Sequence, residues 1–259
     1  MRMMKKVLGT VTVLALSVSL LAGCGSTAAS PVSSAASTAA ESTTSSVVSE
    51  TTSAAADENV AAAAQLLNDL TGSYQELWPV ILADEYQQTW LDDCTALVGE
   101  ENAEAAFEKL SSMVTSDVYG EDAVEAYANG GGAYFCGFTN SLATLTFDGE
   151  TSTISGTDKD GNVLFSHTYH YIGMEPVHGL YEFESDDADS GEFTYFFLAP
   201  DTSAETYHIE FRYGSDADAL SQYDAGDYAY WLASGISTDC DQTMIDNCIK
   251  LFCTENLAG

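Results

Sequence analysis

Apolar and polar positions along this chain keep a helical period at first and then switch to a period of two. "DENVAAAAQLLNDL" begins on acidic residues and then spaces its apolar positions three and four apart, which predicts an amphipathic helix with an acidic first turn. "ADEYQQTWLDDCTALV" and "NAEAAFEKLSSMV" repeat that pattern. Past the "NGGG" break at 129–132, the runs shorten and alternate. "SLATLTF" and "TSTIS" flank Asp148-Gly149, a strong signal for a hairpin turn. "TDKDGN" at 157–162 closes a second turn, and "VLFSHTYHYI", "HGLYEFES", "EFTYFFLA" and "TYHIEFRYG" follow with short connections. Six strands in antiparallel succession predict a barrel or sandwich, mainly β with flanking helices. "TDCDQTMIDNCIKLFCTENL" reads as a closing helix, and no internal repeat is present.

The segment "APDTSAETYHIEFRYG", residues 199–214, carries the first candidate chemistry. Its alternation places Tyr207, Ile209, Phe211 and Tyr213 on one face and His208, Glu210 and Arg212 on the other. One of only four histidines thus shares a strand face with a carboxylate two residues away, as a metal site or a solvated face would require.

The first 57 residues belong to export and tethering. "MRMMKK", an apolar run over residues 7–21 and "LAGC" at 21–24 make a secretory signal with a small-residue cleavage site. The apolar run is shorter than the roughly 20 residues of a membrane span. "LAGC" resembles a bacterial lipobox, so Cys24 is expected to carry lipid and become the first mature residue. Residues 24–57 are almost entirely Ser, Thr, Ala and Val, a flexible linker spanning about 30 Å. Residues 58–259 form one domain, long enough for a full core. These features place the protein outside the plasma membrane, lipid-anchored at its outer face.

Removal of residues 1–23 takes three basic residues and no acidic ones. The mature chain keeps four basic against 40 acidic residues, a formal charge of −36. That field repels nucleic acid and anionic head groups and draws cations. Beyond Cys24 there are five cysteines, at 94, 136, 240, 248 and 253, none with CxxC spacing. An odd number leaves at least one without an intramolecular partner. No GxSxG, HExxH, P-loop or dinucleotide fingerprint occurs, and "DKDGN" lacks the downstream glutamate of a calcium loop. No enzymatic activity is expected.

The order of elements, with "LNDLTGSYQELWPVI" (67–81), "YHYIG" (169–173), "HGLYEFES" (178–185), "FFLAP" (196–200), "YHIEFRYGSD" (207–216) and the "YAYW"-to-helix ending, resembles the ZinT (YodA) family of exported zinc-binding proteins. The resemblance runs from about residue 58 to the C-terminus. It implies a lipocalin-like (calycin) antiparallel β-barrel, preceded by helices and closed by a C-terminal helix, that binds zinc and passes it to an ABC-type importer. The family's ligands are a histidine three residues before an "AP" pair and a His-x-His shortly after. By position these become Phe196, His208 and Glu210, so one histidine is kept, one is replaced by a carboxylate and one is lost.

A third ligand has to come from elsewhere. Pairing "EFTYFFLA" with "HGLYEFES" so that Tyr181 faces Phe196 puts His167 on the face shared by Phe196, His208 and Glu210, with His170 pointing away. A one-residue slip reverses that choice, and His178, at a strand end, is the other candidate. His208, Glu210 and His167 with a water would suit zinc, and by geometry copper or nickel. Two other readings stand beside this one: a calycin holding a small apolar ligand among its barrel aromatics, and a surface interaction module.

Overall fold

The computed structural model describes residues 47–258, with side chains from residue 58. The signal segment, Cys24 and most of the linker lie outside the described residues.

Eight strands close into one antiparallel barrel, each paired with its neighbours in sequence and the last with the first. They are β1 (Gly72–Glu76), β2 (Thr144–Asp148), β3 (Thr153–Thr157), β4 (Val163–Met174), β5 (Tyr181–Ser185), β6 (Tyr195–Leu198), β7 (Ile209–Gly214) and β8 (Ala233–Ser237). Six are the strands that alternation marks. The other two, β1 and β8, are the ones that close the ring, through Tyr74 opposite Ser237 and Glu76 opposite Gly235. "ASGIS" in β8 is buried at four of its five positions and so shows no alternation. "GSYQE" in β1 is short and sits between helical segments. Closure removes every sheet edge, which both strands accomplish despite weak strand propensity.

The helix α1 (Val47–Asp69) starts well before residue 58, inside the stretch read as linker. No proline or glycine interrupts residues 47–69, so nothing in the Ala/Ser/Thr-rich sequence stops the helix. Its C-terminal end sits against the β2–β3 turn. The Gly149 N–H donates to Thr71 Oγ1 at 3.0 Å, and a Cβ at Gly149 would lie 2.4 Å from Asn68 Cα. Glycine is required there by close approach.

Two hydrophobic cores result. The first fills the barrel with rings: Phe147, Phe183, Phe196, Phe211, Tyr213 and Trp231 are all essentially inaccessible. They pack on one another, with Phe165 and Phe193 stacked at 4.0 Å and Phe196 and Tyr213 at 5.3 Å. The second lies between the barrel exterior and α2 (Leu77–Ile81), α3 (Gln87–Val98), α4 (Glu100–Ser112) and α7 (Gln242–Leu257). Trp90 centres it and donates its indole N–H to Ile81 O at 2.7 Å. Asp241 caps α7 by accepting the Met244 N–H at 2.8 Å, and α7 then buries Ile245, Cys248, Ile249 and Cys253. Two shorter helices, α5 (Glu121–Ala128) and α6 (Ala217–Leu220), lie in the connections. Among the described residues, no helix is long and apolar enough to cross a membrane.

Candidate functional site

The alternation expected from Tyr207 to Tyr213 holds only from Ile209. Ile209, Phe211 and Tyr213 face the barrel core. Tyr207 adopts a left-handed backbone, φ +66°, and packs against the helical core instead. Such a conformation is unusual for a bulky residue, and here it turns the chain into β7. His208 and Glu210 consequently lie on the outer face of the barrel, beneath α7.

Each His208 nitrogen has a distinct neighbour. Nδ1 is 2.8 Å from Thr206 O and 3.9 Å from Cys248 Sγ of α7. Nε2 is 3.8 Å from Glu210 Oε1. The Thr206 carbonyl can only accept, so Nδ1 carries a proton, and a second proton on Nε2 would point at the Glu210 carboxylate. Burial alone would lower the His208 pKa, but contact with Cys248 and Glu210 outweighs it and holds the imidazole well above its ordinary value. Asp201 and Glu255 share this neighbourhood. Burial raises both carboxyl pKa values, the Glu210 charge raises them further, and His208 pulls the other way. One imidazole thus contacts one carboxylate, Glu210, and is coupled through charge to two more, Asp201 and Glu255. Cys248, Asp201 and Glu255 escape sequence reasoning because they come from α7 and the β6–β7 loop; the only hint is Cys248's place on the apolar stripe of α7.

The other expected ligands do not join this group. In the observed register Phe183 faces Phe196, and Tyr181 faces Leu198. Phe196 points into the barrel and is fully buried. His167, on β4 opposite Ile154, lies on the inward side with Phe165, whose ring is 5.8 Å away. Its Nδ1 is 2.7 Å from Asp187 Oδ2. His167 therefore shares a face with Phe196 but not with His208 and Glu210, because the barrel wall separates the two sides of β7. His170 points away from His167, as expected, and pairs with Asp186 at 2.7 Å. His178 packs tilted against Tyr223 with ring centroids 3.7 Å apart, beside the fully buried Glu175. Among the described residues, no three His, Cys, Asp or Glu side chains converge closely enough to hold an ion as they stand.

Arg212 also departs from expectation. It shares the outer face of β7 with Glu210 yet is completely buried. It donates to the carbonyls of Leu220, Gln222 and Tyr228 and lies 4.2 Å over the Tyr223 ring. Its role is structural: it holds the 220–228 segment against the barrel.

No family model matches the chain, and no curated protein matches it. Among solved structures it is similar to the Zn(II)-bound ZinT-like domain of Streptococcus pneumoniae AdcA, at 14% identity and a TM-score of 0.45. That similarity covers 71% of this chain and 89% of the other. It is also similar to Zn(II)-bound AdcA from the same organism, at 14% identity and a TM-score of 0.42, over 70% of this chain and 34% of that longer one. The closed eight-stranded antiparallel barrel with flanking helices and a C-terminal helix is the barrel architecture expected from the sequence resemblance.

Proposed function

We propose that this is an extracytoplasmic lipoprotein, anchored through Cys24, that takes up zinc on the outer face of β7 beneath α7 and delivers it to an ABC-type importer. The observation that carries this reading is the charge and geometry around His208. Glu210 lies against the imidazole in a partly buried setting, and the charges of Asp201 and Glu255 act on the same group. Their negative charge would draw a divalent ion and partly balance it.

His208 Nε2 and Glu210 Oε1, 3.8 Å apart, can both reach one ion, since bonds of about 2.0–2.2 Å each allow separations up to about 4.2 Å. Asp201 and Glu255 would swing in to complete a nitrogen-and-oxygen set, and the Nε2 proton would leave. A site of this kind also suits other divalent transition ions. There is no catalytic step: the side chains bind, and the acidic surface raises the local cation concentration. An apolar ligand inside the barrel fits less well, because the rings that would line its pocket are packed on one another.

The test is a zinc titration with chelator competition on the full chain, wild type against His208→Ala. Affinity of micromolar or tighter that falls at least tenfold, about 1.4 kcal/mol, supports the reading. No binding, or binding indifferent to His208, overturns it.

A further inference from the structure

We propose that Cys94 and Cys253 form a disulfide that staples α3 to α7 in the exported protein. All five cysteines of the domain are thiols in this structure. Cys94 and Cys253 face each other across the α3–α7 contact, Sγ to Sγ 3.9 Å, although 159 residues separate them in sequence. Both are fully buried. Each of the other three has a different neighbour or setting. Cys248 lies over His208, Cys136 lies beside Ser234 and Trp78, and Cys240 is partly exposed after β8. The pairing therefore resolves the odd count with one bridge and three thiols, and it does not depend on zinc.

Closing 3.9 Å to a bond of about 2.0 Å asks only for small side-chain rotations. The step is thiol–disulfide exchange with an oxidised carrier, either a disulfide-bearing oxidoreductase or oxidised glutathione. Both cysteines give up their protons, the new S–S bond forms, and the carrier's disulfide receives two electrons and becomes two thiols. Burial raises both thiol pKa values in the folded chain, which suppresses the attacking thiolate. Oxidation is therefore expected while the chain folds, before α7 seats, and the finished bridge is shielded from reductant. It closes a long loop and fixes the helix that carries Cys248 and Glu255.

The experiment refolds the full chain from denaturant in a glutathione redox buffer, then traps free thiols with an alkylating agent and maps peptides without reduction. The expected result is a peptide joining Cys94 to Cys253, with Cys136, Cys240 and Cys248 alkylated. The bridged protein should melt about 5–15 °C above its reduced form. Cys94→Ala should show no reductant-dependent melting shift, which separates the crosslink from the packing lost with the side chain. Alkylation of both cysteines in the refolded wild type, or a bridge through any other cysteine, overturns the proposal. So does a reductant-dependent shift that persists in Cys94→Ala.

Discussion

The ring-packed centre of the barrel and the layer outside β7 are both buried, but only the outer layer holds charged side chains. Inside, residues such as Phe196, Phe211 and Tyr213 meet ring to ring, and the Tyr213 hydroxyl is satisfied by the Thr139 backbone. Outside, the polar face of the same strand is roofed by α7 and by the 220–228 segment, so His208, Glu210 and Arg212 are screened from water without becoming apolar. An antiparallel strand normally offers such residues to solvent. Covering that face strengthens every charge on it, and this is why the candidate chemistry lies outside the barrel while the interior serves only packing.

The comparison can be broken at its interior end first. Phe196→Ala removes a ring from a closed, ring-filled space and should cost about 3–5 kcal/mol in chemical denaturation; a cost below about 1 kcal/mol would mean that the interior is loosely packed. On the outer face, Arg212→Ala leaves three carbonyls without their donor and should cost about 3 kcal/mol, again by denaturation. Gly149→Ala forces a methyl against Asn68 where α1 meets the barrel, for about 1–3 kcal/mol.

The smallest effect on stability should come from His208→Ala, about 1–2 kcal/mol, alongside its loss of zinc affinity. A large stability loss without a change in affinity would make His208 a packing residue like those inside. The pH dependence sharpens this further. Because the folded His208 pKa is raised, its contribution to metal-free stability is full below the unfolded value near about 6.5 and fades as pH rises through the folded value. Melting of the metal-free protein should therefore weaken with rising pH across that window, and His208→Ala should flatten the slope.

Much of the fold is legible in the sequence because burial on one side imposes a period. The α1, α3, α4 and α7 stretches show helical spacing, and the six alternating strands show the barrel wall. Local chemistry adds the Asp148-Gly149 hairpin. The pairing of His208 with Glu210 is equally local, since two residues along a strand always share a face. The strands β1 and β8 are not legible, because residues buried on both sides lose their alternation and short Gly- and Ser-containing runs carry little strand preference.

The sequence by itself thus determined the periodic elements, the acidic charge and the short-range His208–Glu210 contact, all of which depend on neighbours a few residues away. Tertiary structure decided the rest. The β5–β6 register set Phe183, not Tyr181, against Phe196, and the barrel wall put His167 on the other side from His208. The left-handed turn at Tyr207 broke the alternation two residues before β7, and the docking of α7 brought Cys248 and Glu255 to a histidine 40 or more residues away. The physical reason is that strand pairing and helix docking are fixed by how distant surfaces fit together, and a one-residue change in either moves a side chain to the opposite face.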